Sequence, residues 1–164
     1  MDNLIVSVLG HRDSGKSTTW NNLFGREVRT GTELRRLYLK PNQYVEVFLV
    51  SGSPEERETY VGDIIGEQEP RIVLCSMQYR RDVLTTIDFF TERHYSFYTQ
   101  WLNPGYNDQN KTSIFDNLGI WNYLNSKNAT LLIENGKLDT NPRVQKIREF
   151  IFGWATYRNL IITE

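Results

Sequence analysis

Residues 4–9, Leu-Ile-Val-Ser-Val-Leu, form an almost unbroken apolar and β-branched run, the pattern of a central strand covered on both faces. The run stops at Gly10. Beyond the polar stretch 10–15, Trp20, Leu23 and Phe24 recur at helical spacing ahead of Gly25, which predicts a short helix over about 15–24. Two β-rich runs, 34–40 and 44–50, flank Pro41-Asn42-Gln43 and predict an antiparallel hairpin. After Ser51-Gly52-Ser53-Pro54, the acidic stretch 55–69 places Tyr60, Val61, Ile64 and Ile65 where an irregular helix would put them. Residues 71–77 read as a second buried strand, Val83, Ile87 and Phe90 mark a helix over about 80–93, and residues 95–102 alternate as a strand. The longest polar loop follows, at 103–113.

The remaining pattern is a helical stripe at Ile114, Leu118 and Trp121, a strand at 129–133 and a loop at 134–138. Asn141 as cap, Pro142 at the first helical position and a stripe of Val144, Ile147, Ile151 and Trp154 predict the last helix. Strands alternating with helices after one hairpin predict an α/β fold. Its core is a doubly wound, mainly parallel six-stranded sheet with one antiparallel edge strand, in a single domain spanning 1–164.

Composition narrows the function classes. With 39% hydrophobic and 24% charged residues, the chain has the balance of a folded domain rather than a disordered tail. A formal charge of −1 provides no global field for nucleic acid or anionic lipid, and nothing else points directly to nucleic acid. Cys75 is the single cysteine and His11 and His94 the only histidines, which leaves no intramolecular disulfide and no zinc set. No apolar run approaches the roughly 20 residues of a membrane span, so the expected location is cytoplasmic.

The chemistry concentrates in Gly10-His11-Arg12-Asp13-Ser14-Gly15-Lys16-Ser17, which satisfies G-x-x-x-x-G-K-[ST] between a predicted strand and a predicted helix. Glycines let such a loop turn its N–H groups inward, and the helix N-terminus adds partial positive charge. Gly10, Asp13, Ser14, Gly15, Lys16, Ser17 and Thr18 are therefore the candidate phosphate-binding residues. Lys16 is placed to reach the β and γ phosphates, and Ser17 to ligate Mg²⁺.

Residues 10–19, GHRDSGKSTT, resemble the phosphate loop of translation-factor GTPases, G-H-V-D-[HS]-G-K-[ST]-T, with Arg12 as the departure. The order of elements is similar to that of a whole Ras-like GTPase domain. The resemblance implies a P-loop NTPase binding GTP, slightly favoured over ATP, with Mg²⁺ and two switch loops that sense the γ phosphate. It implies Thr32, or else Thr30, as the first-switch residue acting in catalysis and on the metal. The D-x-x-G place is held by Val50-Ser51-Gly52-Ser53-Pro54-Glu55-Glu56, without an Asp. Gly52 or Ser53 remain to offer an amide, and Glu55 or Glu56 to approach the metal through water. For [NT]-K-x-D the chain offers Asn103 and, two positions late, Asp108. The last base-contacting loop corresponds to Glu134-Asn135-Gly136-Lys137, with Lys137 along the base. A K⁺ ion beside Asp13 is a further expectation, and Arg80-Arg81 offers a phosphate contact weighed against an ordinary solvated helix start.

Three functions follow from this reading. The first is a GTPase-like nucleoside triphosphatase with slow intrinsic turnover, acting as a switch with an effector or activator protein. The second is a catalytically weak pseudo-GTPase, or nucleotide-gated interaction module. The third, a small-molecule kinase using ATP, is disfavoured by the hairpin.

Overall fold

The computed structural model describes residues 2–164. In chain order the elements are β1 (Asn3–Gly10), α1 (Lys16–Phe24), β2 (Arg35–Lys40), β3 (Gln43–Val50), α2 (Val61–Ile65), β4 (Ile72–Gln78), α3 (Val83–Glu92), β5 (Tyr95–Leu102), α4 (Ile120–Ser126), β6 (Thr130–Glu134), α5 (Asn141–Tyr157) and β7 (Ile162–Thr163). The sheet runs β2-β3-β4-β1-β5-β6, with β7 added to β3. β1 pairs in parallel with both β4 and β5, while β2 and β7 are antiparallel to β3. This is an α/β fold with a mostly parallel mixed sheet.

Period-2 alternation along β1 divides the core. Leu4, Val6 and Val8 face α1 and α5, where Trp20, Leu23, Val144, Ile147, Ile151 and Ala155 close one layer. Ile5 and Leu9 face the opposite layer, formed by α2, α3 and α4 through Val61, Val83, Ile87, Ile120 and Leu124. Helices cover both faces, which is why β1 and β4 read as near-continuous apolar runs. Trp20 is fully buried and ties α1 to the sheet, donating from Nε1 to Ser76 Oγ at 2.8 Å.

The order of strands places the functional edge. From β1 the chain crosses into the α1/α5 layer, whereas from its neighbour β4 it crosses into the α3 layer. Adjacent parallel strands whose connections leave on opposite faces open a crevice at their carboxyl ends, the usual ligand position in open α/β sheets. Gly10 and Gln78 end the two strands in register, and Tyr79 N–H donates to Gly10 O at 2.9 Å.

Several expectations are revised. The antiparallel edge strand expected from the hairpin is β2, and β4 stands between β3 and β1. The sheet gains a seventh strand, since Ile162–Thr163 pairs with Gln43 and Tyr44. Ile114 and Leu118 precede the helix to which their spacing assigned them. Asn103 grips the Ile114 backbone through Nδ2→O at 3.0 Å and N→Oδ1 at 2.7 Å. Leu118 N–H is held by Tyr79 Oη at 3.1 Å, and α4 starts only after Gly119 at φ 71°. Thr140 rather than Asn141 occupies the cap of α5, and the buried row continues to Ala155 instead of Trp154. No helix among the described residues is long and apolar enough to cross a membrane.

Trp20→Ala is expected to destabilise the fold by about 3–5 kcal/mol, because it opens a large cavity and orphans Ser76. Phe115→Ala, at a side chain 92% exposed, should stay within about 0.5 kcal/mol. Urea unfolding of the two variants checks the contrast, and equal midpoints would contradict the assigned core.

Candidate functional site

Residues 10–15 make the turn from β1 into α1 at the crevice. Asp13 at φ 57° and Gly15 at φ 104° adopt left-handed backbone on either side of Ser14. Such alternation aims successive N–H groups to one side and forms a concavity suited to an anion. Among the described residues, no carbonyl or side chain accepts a hydrogen bond from the amides of residues 13–18. The ladder begins with Thr19 N–H on Gly15 O at 3.2 Å. The first glycine is required by close packing, since a Cβ on Gly10 would lie 2.3 Å from Oγ of the fully buried Ser14.

Lys16 is only 6% exposed and arches back over the loop. Its Nζ donates to His11 O at 2.6 Å, to Gly10 O at 3.3 Å and to Ser14 Oγ at 3.5 Å. The one carboxylate within 4 Å is Glu56, with Oε1 at 3.5 Å. Burial lowers the Lys16 pKa, and the Glu56 carboxylate opposes that shift. Ser17 and Thr18 stand exposed in the first turn of α1, their hydroxyls engaged by no described residue, as is the exposed Asp13 carboxylate.

The other predicted residues are arranged differently. No hydrogen bond or ion pair joins Thr32 to the loop 10–17; its carbonyl accepts from Gln68 Nε2 at 2.8 Å and its side chain is exposed. Thr30 instead bridges the two polar loops, accepting from Ser51 N–H at 3.0 Å and Gly52 N–H at 3.3 Å. Because β3 is two strands from β1, residues 51–53 start roughly 10 Å to the side of the loop that follows β1. Glu55 and Glu56 recross that gap. Glu55 is buried, accepting from Gln78 N–H at 2.7 Å and from the Thr86 hydroxyl at 2.6 Å.

On the other flank, the loops after β5 and β6 pack directly on the loop 10–15. Tyr106 N–H donates to Ser14 O at 2.9 Å and Gly136 N–H to Pro104 O at 2.8 Å. A Cβ on Gly136 would lie 2.8 Å from Ser14 O, so its smallness serves the approach of two protein loops rather than of a base. Asn103 is buried and occupied with Ile114. Asp108 accepts from Gly105 N–H at 2.7 Å and lies 3.4 Å from His11 Nδ1. Lys137 Nζ donates to the carbonyls of Tyr106 and Asp108. All three predicted base contacts are engaged within the protein. Arg80 and Arg81 are exposed, with Arg80 paired to Asp82 at 3.0 Å.

Among the described residues, no group of three or more His, Cys, Asp and Glu side chains is placed to hold a metal ion. Ser17 offers one free hydroxyl, which fits Mg²⁺ only if phosphate oxygens and water complete the shell. A concavity of about 510 Å³ adjoins the loop between His11 and Phe115. A larger cleft of about 760 Å³, between Tyr60, Phe89 and Arg93, opens where β1 and β5 begin, at the opposite end of the strands. Comparison with protein-family models, with curated proteins and with solved structures finds no match for the chain, so the reading of the site rests on its own geometry.

Sequence reasoning missed Arg143, which is 3% exposed behind the loop. The signal was present: Arg143, Ile147, Ile151 and Ala155 form an i, i+4 row, and all four are buried.

Burial raises the Glu55 pKa above the ordinary 4.5, although the hydrogen bonds from Thr86 and Gln78 oppose it. The folded state therefore holds this proton more tightly than the unfolded chain. The resulting stability is present below 4.5 and is lost as pH rises through the folded value. Relative to Glu55→Gln, the parent should lose stability as pH rises above 4.5. A pH-independent difference in urea midpoints would contradict this.

Proposed function

We propose that the chain binds a nucleoside triphosphate through the amides of residues 13–18 and Lys16, and that the second polar loop, 51–59, reads the occupancy. The observation that carries this reading is the row of inward-turned amides without acceptors beside a buried ammonium group. Polyphosphate supplies acceptor oxygens for the amides and negative charge for Lys16 at once. The G-x-x-x-x-G-K-S letters and the position at the crevice of the sheet support a P-loop NTPase relationship.

Between hydrolase and gated module, the geometry favours the module. The predicted first-switch Thr32 makes no hydrogen bond or ion pair to the loop 10–17, no group of three or more His, Cys, Asp and Glu side chains among the described residues is placed for a metal, and Glu55 turns its carboxylate to Gln78 and Thr86. Hydrolysis is consequently slow, with Mg²⁺ carried in on the phosphates and anchored by Ser17. Glu56 is the lever. It is the loop residue that pairs with Lys16, and an incoming phosphate competes for the same ammonium group. Its release presents a changed 51–59 surface to an effector or activator protein. The base extends toward the concavity beside His11, and because Asn103, Asp108 and Lys137 are engaged within the protein, GTP is only slightly favoured over ATP. Asp13, exposed and unpaired, is the position for a K⁺ ion that would offset γ-phosphate charge.

At about 100 times its dissociation constant, GTP should stabilise the protein by about 2.7 kcal/mol, raising the melting temperature by about 5–10 °C. ATP should bind within about tenfold of GTP. Lys16→Ala should abolish the shift, whereas Glu56→Gln should strengthen binding by up to about fivefold, the size of a weak ion pair. Calorimetry that finds affinity retained in Lys16→Ala rejects the site. Nucleotide turnover should be faster in K⁺ than in Na⁺ buffer, and equal rates would remove the cation from Asp13.

A further inference from the structure

Arg143 enters from the first turn of α5, whose backbone is pinned when Gln100 Nε2 donates to Arg143 O at 2.8 Å. Its guanidinium lies directly behind the phosphate loop. Nη1 donates to Thr19 Oγ1, Nη2 reaches Gly15 O at 3.5 Å, and Nε is buried without a partner. The Thr19 hydroxyl in turn donates to Gly15 O at 2.9 Å. A Cβ on Gly15 would sit 3.5 Å from Nη2, so a single residue of backbone separates the guanidinium from the amide cradle.

The charge on this group has no local partner. Among the described residues no carboxylate lies within 4 Å of it, and Glu134, the nearest acidic influence, is already paired with Lys146 at 2.7 Å. Desolvation pushes the Arg143 pKa down to about 10, so the group is still a cation at neutral pH. A buried cation without a counter-charge is costly to fold around, and packing alone would be served better by an apolar side chain of the same length. The hydrogen bond to Thr19 requires only a donor and no charge.

We propose that Arg143 is the buried half of the anion site: a positioning residue whose fixed positive charge is compensated by the polyphosphate held on the other side of residues 15–19. This rests on the phosphate-binding reading above and deepens it. The loop is then flanked by two cations, Lys16 within it and Arg143 beneath it. The ligand class narrows to anions of high charge density, with affinity set by the phosphates more than by the base. No contact between Arg143 and the ligand is required, because the charge acts through the Gly15 carbonyl, the Thr19 hydroxyl and the low dielectric around them.

The test is titration of the full chain with inorganic tripolyphosphate, followed by calorimetry and by melting, for wild type, Arg143→Met, Arg143→Lys and the control Lys146→Met. Arg143→Met should keep or raise the melting temperature of the free protein while binding tripolyphosphate roughly 10- to 100-fold more weakly. Arg143→Lys should restore affinity to within about threefold. Lys146→Met, which removes an exposed charge from the same helix, should change it less than about twofold. If Arg143→Met does not fold, Arg143→Gln carries the same comparison. Wild-type protein that binds while the neutral variant binds equally well overturns the role of Arg143 and leaves the loop assignment standing. Wild-type protein that binds no tripolyphosphate, indistinguishable from Lys16→Ala, overturns both.

Discussion

Concentrated positive charge at the end of β1 is the constraint on which the rest depends. Six consecutive amides without acceptors, the N-terminus of α1, the Lys16 ammonium and the Arg143 guanidinium converge on one turn. Against them stand the Glu56 carboxylate, at 3.5 Å from Lys16, and at longer range those of Glu55 and Asp13. Folded proteins normally pair buried charges because solvation lost on burial must be replaced. Here the replacement for Lys16 is mostly carbonyl oxygen, from Gly10 and His11. Carbonyl dipoles stabilise an ammonium group without neutralising it, so the local potential stays positive and outward-facing.

That potential is tolerable because of where the sheet puts it. The crevice between β1 and β4 opens to solvent, and the layers on both faces are closed by apolar packing that begins one residue before the loop, at Leu9. Trp20 and Ser76 lock α1 over β4, while Tyr79 N–H fixes the carbonyl of Gly10. The loops after β5 and β6 brace the other flank through Ser14. A turn held on three sides cannot relax its left-handed residues into helix, so the amides stay turned inward.

The alternating strands and helices were legible in the chain because apolar periodicity is local. Residues 4–9, 71–77 and 95–102 announced β1, β4 and β5 within a residue or two, and the residues 10–15 fall, as expected, in the turn between β1 and α1. What escaped was non-local. The placing of β4 beside β1 depends on which apolar edge each strand finds, and nothing within 71–77 encodes it. The stripe at 114–121 fails as a helix because Asn103, eleven residues upstream, captures the backbone of Ile114. β7 escaped because two residues carry no period. Arg143 lay in plain view on a buried i, i+4 row, yet an arginine among isoleucines is read as surface unless the row is counted through it.

Under the proposed function, the geometry bears on how a bound anion would be coupled to the surface. An ion pair between Lys16 and the half-exposed Glu56 is worth at most about 1 kcal/mol. Each charge-assisted hydrogen bond that an anion would accept from the loop is worth about 1.5–3 kcal/mol. The competition for Lys16 would therefore be lopsided, with Glu56 yielding. Its neighbour Glu55 would not: two hydrogen bonds in a buried setting hold it to Gln78 and Thr86. With Glu55 anchored and Glu56 displaced, the junction between the two residues would be the pivot, and Glu58 at φ 51° lies in a backbone region that non-glycine residues seldom adopt. On the proposed reading, displacement would fall on residues after Glu55, away from the buried edge where β1 and β4 end, so that occupancy of the loop 10–17 would alter the outer surface without disturbing the core.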